Sequence, residues 1–174
     1  MNPPRKAQPP SFSTQEFRTA LGMFATGVTI VTARTADGQV IGLTANSFNS
    51  VSLDPPLLLV CIHKEATCAQ ALTAADHFAI NVLQTEQQPA SIRFSTRQED
   101  RFGVNDWSRG EFGAPVLKES LSVFECERYA VYDGGEATAR LARNRRVGDL
   151  ALVRRFGRRA DAPRRRCGRW SSWW

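Results

Sequence analysis

Between Gly42 and Ile62 the chain reads "GLTANSFNSVSLDPPLLLVCI". Thr44, Asn46, Ser47, Asn49, Ser50 and Ser52 place six short hydroxyl or amide side chains in nine positions. Loops between strands recruit such residues as turn formers, but a turn needs fewer of them. Donors and acceptors at this density can also hold a polar ligand along its edge. Metal chemistry finds no comparable support. Cys61, Cys68, Cys126 and Cys167 form no CxxC pair and no zinc spacing, so no metal site is expected. Cys61 and Cys126 fall inside apolar runs, as small buried thiols of a reducing cytosol do. Of the two histidines, His63 falls in a loop, and His77 precedes a strand and is expected at the surface.

Several elements must position this polar segment. "STQEFRTALGMFATG" opens with Ser13 and Glu16 in capping-box spacing, and Phe17, Leu21 and Phe24 follow at helical spacing up to Gly27. "VTIVTA" is β-branched and reads as a strand, Asp37-Gly38 as a hairpin turn, and "QVIGLTA" as the returning strand. After the polar segment, Pro55-Pro56 closes the loop and "LLLVCI" reads as a strand buried on both faces. "ATCAQALTAAD" is a short Ala-rich helix, "HFAINVL" a strand, and "QQPASIRFS" a helix beginning near Pro89. "RQEDRFGVNDWSRGEFGAPVL" reads as a polar surface excursion, and "SLSVFECERYAVYDGG" as a long strand whose inner positions are Phe124, Cys126, Tyr129 and Val131. Strands dominate and short helices punctuate them, which predicts a mainly β fold: an antiparallel barrel with flanking helices.

The chain has 174 residues, enough for one domain with a real core. No apolar run reaches the roughly 18 residues that cross a bilayer. The proline-containing start has no apolar stretch of a secretory signal, so residues 1–12 are expected to form a loose arm and the protein to be cytoplasmic. Charge is unevenly spread. Residues 1–134 hold 11 basic and 14 acidic residues, net −3, whereas residues 135–174 hold 12 arginines and three acids, net +9. The body therefore gives no reason to expect a nucleic-acid partner.

"FATGVTIVTA", "GLTANSFNSVSLDPPLLLVCI", "FAINVL", "SIRFS", "DRF", "GAPVL" and "YDGG", in that order, closely resemble the flavin reductase family. The resemblance covers about residues 14–135 and gives a barrel unit over 13–135, followed by an atypical Arg-rich segment over 136–174. It implies the FMN-binding split β-barrel, a Greek-key fold with short flanking helices. It also implies reduction of FMN or FAD by NADH or NADPH, a homodimer, and delivery of the reduced flavin to a separate flavin-dependent monooxygenase. An isoalloxazine ring needs donors and acceptors along its polar edge with N5 left open, which short side chains can provide. By the resemblance, Thr44, Ala45, Asn46, Ser47, Phe48 and Ser50 meet the ring and ribityl chain, and Cys61, Ile62 and His63 continue the wall. Ala66 and Thr67 meet the phosphate with backbone amides, and Arg93 supplies charge to it beside Phe94. No side chain is required as acid or base.

The resemblance breaks after "YDGG". The family continues with an acid and a histidine associated with the nicotinamide; here Glu136 precedes Ala137, and no apolar strand is expected after Gly135. Three readings account for the Arg-rich ending: a reading-frame slip near Ala139, a basic tail for nucleic acid or an acidic partner, or a divergent folded ending. With the histidine gone, a flavin-binding module without turnover is the alternative to an active reductase.

Overall fold

The computed structural model describes residues 11–96 and 100–148. Most of the expected arm, and all of the ending after Gly148 with Cys167 and the terminal tryptophans, lie outside the described residues. Helix α1 (Thr14–Gly22) starts on the expected capping box: Ser13 Oγ accepts from Glu16 N–H, and Glu16 reaches back to Ser13 N–H. It ends earlier than Gly27, because a glycine at position 22 weakens the last turn and the chain leaves at Met23.

Strands β1 (Thr29–Arg34) and β2 (Val40–Ala45) form the expected hairpin around Gly38, whose φ of 88° suits glycine. The polar segment then supplies a strand the sequence does not announce, β3 (Asn49–Leu53), paired to β4 (Pro56–His63). Helix α2 (Ala69–Ala74), strand β5 (His77–Val82) and helix α3 (Gln88–Ser95) follow where expected. Within the polar excursion, β6 (Trp107–Arg109) and β7 (Pro115–Leu117) make a small separate sheet. Buried Asn81 ties this sheet down: it donates to Ile30 O at 3.0 Å and accepts from Leu117 N–H at 2.9 Å.

The long strand β8 (Ser122–Gly134) pairs with β9 (Ala137–Gly148). β9 corrects the expectation that strands stop at Gly135. It lies between β4 and β8 and bonds to both, and ladder bonds between backbones do not require the apolar alternation its sequence lacks. A second correction concerns β8. Cys126 is buried, but Tyr129 and Val131 are 48 % and 38 % exposed. Beyond Arg128 the strand runs on past the core toward the β8–β9 turn, where Val131 to Gly134 are all exposed; the register slip between Arg128 and Ala130 sets Val131 opposite buried Arg140 without covering it.

All ladders are antiparallel, and the seven-stranded sheet runs β2-β1-β5-β8-β9-β4-β3. Its two edge strands, β2 and β3, are consecutive in the chain and joined only through Asn46–Phe48. The sheet must therefore curl until its edges nearly meet, a split barrel. Val31, Val60, Ile62, Leu72, Phe78, Ile80, Cys126 and Ala142 fill its interior. A second apolar cluster, with Ile30, Phe94 and Leu117, lies under α3.

Candidate functional site

The join between the two sheet edges is where the polar segment sits, and its hydroxyls work first on the fold. Ser47 Oγ donates to Cys61 O at 2.8 Å and accepts from Cys61 N–H at 3.0 Å, pinning the connection onto β4. Thr44 Oγ1 donates to Ser91 O at 2.6 Å and so ties β2 to α3. The Phe48 ring packs on Phe124 at 5.4 Å against the core. Asn46 and Ser50 remain exposed, and Cys61 is half-buried. Ala45 and Ile62 are buried in the core, so either could reach a ligand only through its backbone.

A cavity of about 260 Å³ opens beside this join. β2 contributes Leu43 and Thr44, the turn before α2 contributes Glu65 to Cys68, and the end of α3 contributes Phe94 to Thr96. Of the residues expected from sequence, Thr44, Ala66, Thr67 and Phe94 come together here. Ala66 and Thr67 lie in the turn ahead of α2 rather than in the helix, and Ala66 N–H bonds to His63 O at 3.1 Å. The wall is tight at Gly42: a Cβ there would lie 2.9 Å from the Phe94 ring and 3.1 Å from Val31 O. Glycine at 42 thus lets the aromatic floor close against β2. Cys68 is a neutral part of the wall, since burial raises its thiol pKa.

Among the described residues the cation that lines this cavity is Arg101. Arg93, in the last turn of α3, does not line it. Arg101 does, with Nη1 donating to Gly42 O at 3.1 Å. Its neighbour Phe102 meets Phe94 edge-on at 5.0 Å and Trp107 at 5.0 Å, an aromatic cluster that fixes the segment carrying Arg101. The "DRF" triplet was the available signal, but "SIRFS" offers the same Arg-Phe pair and sequence alone does not separate them. The Ser95 and Thr96 hydroxyls are bonded back to Ile92 O at 2.8 and 3.1 Å. Among the described residues, Thr67 and Arg101 are left as the side-chain donors of the cavity. One guanidinium and one hydroxyl beside polar backbone fit a ligand that is polyhydroxylated and carries a phosphate, as a flavin nucleotide is.

On the far side of the turn, His63 is exposed. Its Nδ1 accepts from Glu65 N–H at 3.3 Å, and its Nε2 lies 4.0 Å from Glu136. In the β4–β9 ladder His63 stands directly opposite Ala137, the position for which the resemblance implied a histidine. Among the described residues, no group of three or more His, Cys, Asp or Glu side chains could hold a metal ion.

Residues 21–148 match the family described as flavin reductase like domain. The chain is 46% identical over 125 residues to the stachydrine N-demethylase reductase subunit Stc3 of Rhizobium meliloti, covering 72% of this chain and 54% of that protein. It is 48% identical over 126 residues to the FMN reductase (NADH) SmoA of Agrobacterium fabrum, covering 72% and 71%. The solved structure of the Streptomyces globisporus NADH:FAD oxidoreductase SgcE6, in complex with NAD and FAD fragments, superimposes with a TM-score of 0.73 at 39% identity, covering 77% of this chain and 81% of that one. The chain spans about half the length of the first of these relatives.

Proposed function

This chain belongs to the flavin reductase like domain family, and from that premise we propose that it is a flavin reductase, moving a hydride from NADH or NADPH to FMN or FAD. The observation that carries the reading is the cavity at the barrel join, whose donors Thr67 and Arg101 suit a flavin phosphate. Bound flavin supplies the electron-accepting ring. The chain supplies the pocket, with Asn46, Ser47, Ser50, Cys61 and His63 toward the ring side and Thr44, Ala66, Thr67, Arg101 and Phe94 toward the phosphate side. NADH is the favoured donor, because an NADH-dependent FMN reductase and an NADH:FAD oxidoreductase are among the relatives. Relatives that are reductase components of flavin-dependent monooxygenases support a separate monooxygenase as the consumer of reduced flavin.

The protein is proposed to act as a homodimer in the cytoplasm. Helix α1 buries none of its residues and leaves Phe17 and Leu21 about half exposed, a surface that a second copy would cover. Cys61, Cys68 and Cys126 are free thiols, which suits a reducing compartment. Among the described residues no helix is long and apolar enough to cross a membrane. Mixing the protein with FMN and NADH and following NADH absorbance tests the function. Sustained NADH loss that depends on added flavin supports the reductase. Flavin binding without NADH loss supports instead the binding module that Ala137 suggests.

A further inference from the structure

Arg140 lies on β9, fully buried and pointing into the barrel. Its guanidinium sits 4.0 Å over the Phe78 ring. Nη1 donates to Leu72 O and Nη2 to Ala75 O, the carbonyls that end α2. No carboxylate among the described residues forms an ion pair with it: Asp76, beside the helix end, is exposed and bound to Arg128 at 2.6 Å. Nε has no hydrogen-bond partner among the described residues. Burial lowers the arginine's pKa to about 10, which marks the group as costly to the barrel.

Helix α2 has little else to hold it. Its sequence is "AQALTA", and Ala69 and Leu72 alone are buried within it. It has no side-chain cap at its start. It stands between two open clefts, one toward Arg34, His77 and Phe112 and one toward Lys64, Arg128 and Val131. The turn Glu65–Cys68, which lines the candidate flavin cavity, runs directly into it. The far end of α2 is thus one hold on that wall, beside the bond from the Cys68 thiol to Gly42 O at 3.5 Å. A cation at helix-terminal carbonyls is also the favourable sense of the helix dipole.

We propose that Arg140 is a positioning residue: from inside the barrel it clamps the C-terminal end of α2 and so sets the wall of the flavin cavity. The inference rests on the flavin reading for its functional consequence but not for the clamp itself. It separates what Arg140 does for the site from what it does for stability. Removing the charge relieves the barrel, while α2 loses the two bonds that hold its end.

The test compares the full chain with Arg140→Met, which keeps the length and apolar stem, and Arg140→Lys, which keeps one cationic donor. Hydrogen exchange is measured on α2 and on β1 and β5, with FMN titrated in parallel. In Arg140→Met, α2 amides are expected to exchange about tenfold faster, the scale of losing a charged hydrogen bond. β1 and β5 keep or gain protection, FMN affinity falls by a similar factor, and Arg140→Lys lies between. Unchanged α2 exchange in Arg140→Met overturns the clamp. So does a loss of protection in α2 and the strands together, which would make Arg140 a general stabiliser. If the wild-type chain binds no flavin, the flavin reading fails while the exchange comparison still decides the clamp.

Discussion

Arg93 and Arg101, each followed by phenylalanine, offer two sources of charge for a flavin phosphate, and the cavity includes only the second. Arg101→Ala should cost FMN about 1.5–3 kcal/mol of binding, the range for hydrogen bonds to charged groups, and leave riboflavin nearly unaffected. Arg93→Ala should change neither by more than about 0.5 kcal/mol, as surface substitutions do. Fluorescence titration with both flavins reads this; equal losses for FMN and riboflavin in Arg101→Ala would remove Arg101 from the phosphate. The residues of the polar segment were legible as hydrogen-bonding groups, but their partners were not. Short hydroxyls bond to whichever backbone the fold brings near. Ser47 meets both polar groups of Cys61, and Thr44 meets the carbonyl of Ser91, residues far along the chain that only the closed barrel delivers.

At the level of elements, β1, β2, β4, β5 and β8 were readable because β-branched and apolar runs are broken by clear turns such as Asp37-Gly38. β3 was not: "NSVSL" is an exposed edge strand, with Leu53 at 77 % exposure, so no buried face leaves an apolar pattern. β9 was not, because its side chains suit its place poorly. Of six buried side-chain atoms lacking a partner among the described residues, three are on β9: Arg140 Nε, Arg143 Nε and Asn144 Oδ1. Backbone pairing to both neighbours holds the strand, so relieving a mismatch should raise stability. Asn144→Val is expected to add about 1 kcal/mol in urea unfolding, by removing an unmet polar group and gaining strand propensity; a lower midpoint would show that Asn144 is satisfied in solution. Helix α1 makes a separate prediction. Phe17→Asp with Leu21→Asp should convert a dimer to a folded monomer in light scattering. A dimer that survives both changes would move the interface off α1.

For the molecule as a whole, the acidic body and the Arg-rich ending differ in more than charge. The barrel extends to Gly148, where the family match also ends, and so it includes the first part of a segment that read as foreign. What composition hid was topology: β9 fills the gap between β4 and β8, and without it the sheet would open at its centre. Closure of the barrel brings β2, α3 and the turn before α2 around one cavity, and the reductase reading depends on that cavity turning over rather than merely binding. The direct test is anaerobic. The protein is mixed with a large excess of FMN and NADH, and bleaching of the oxidised flavin band is followed beside NADH loss. Equal loss of both is expected, continuing well past one flavin per protein and abolished by heat denaturation of the protein. Bleaching that stops at one equivalent, or none above the protein-free rate while FMN still binds, would contradict the reductase reading.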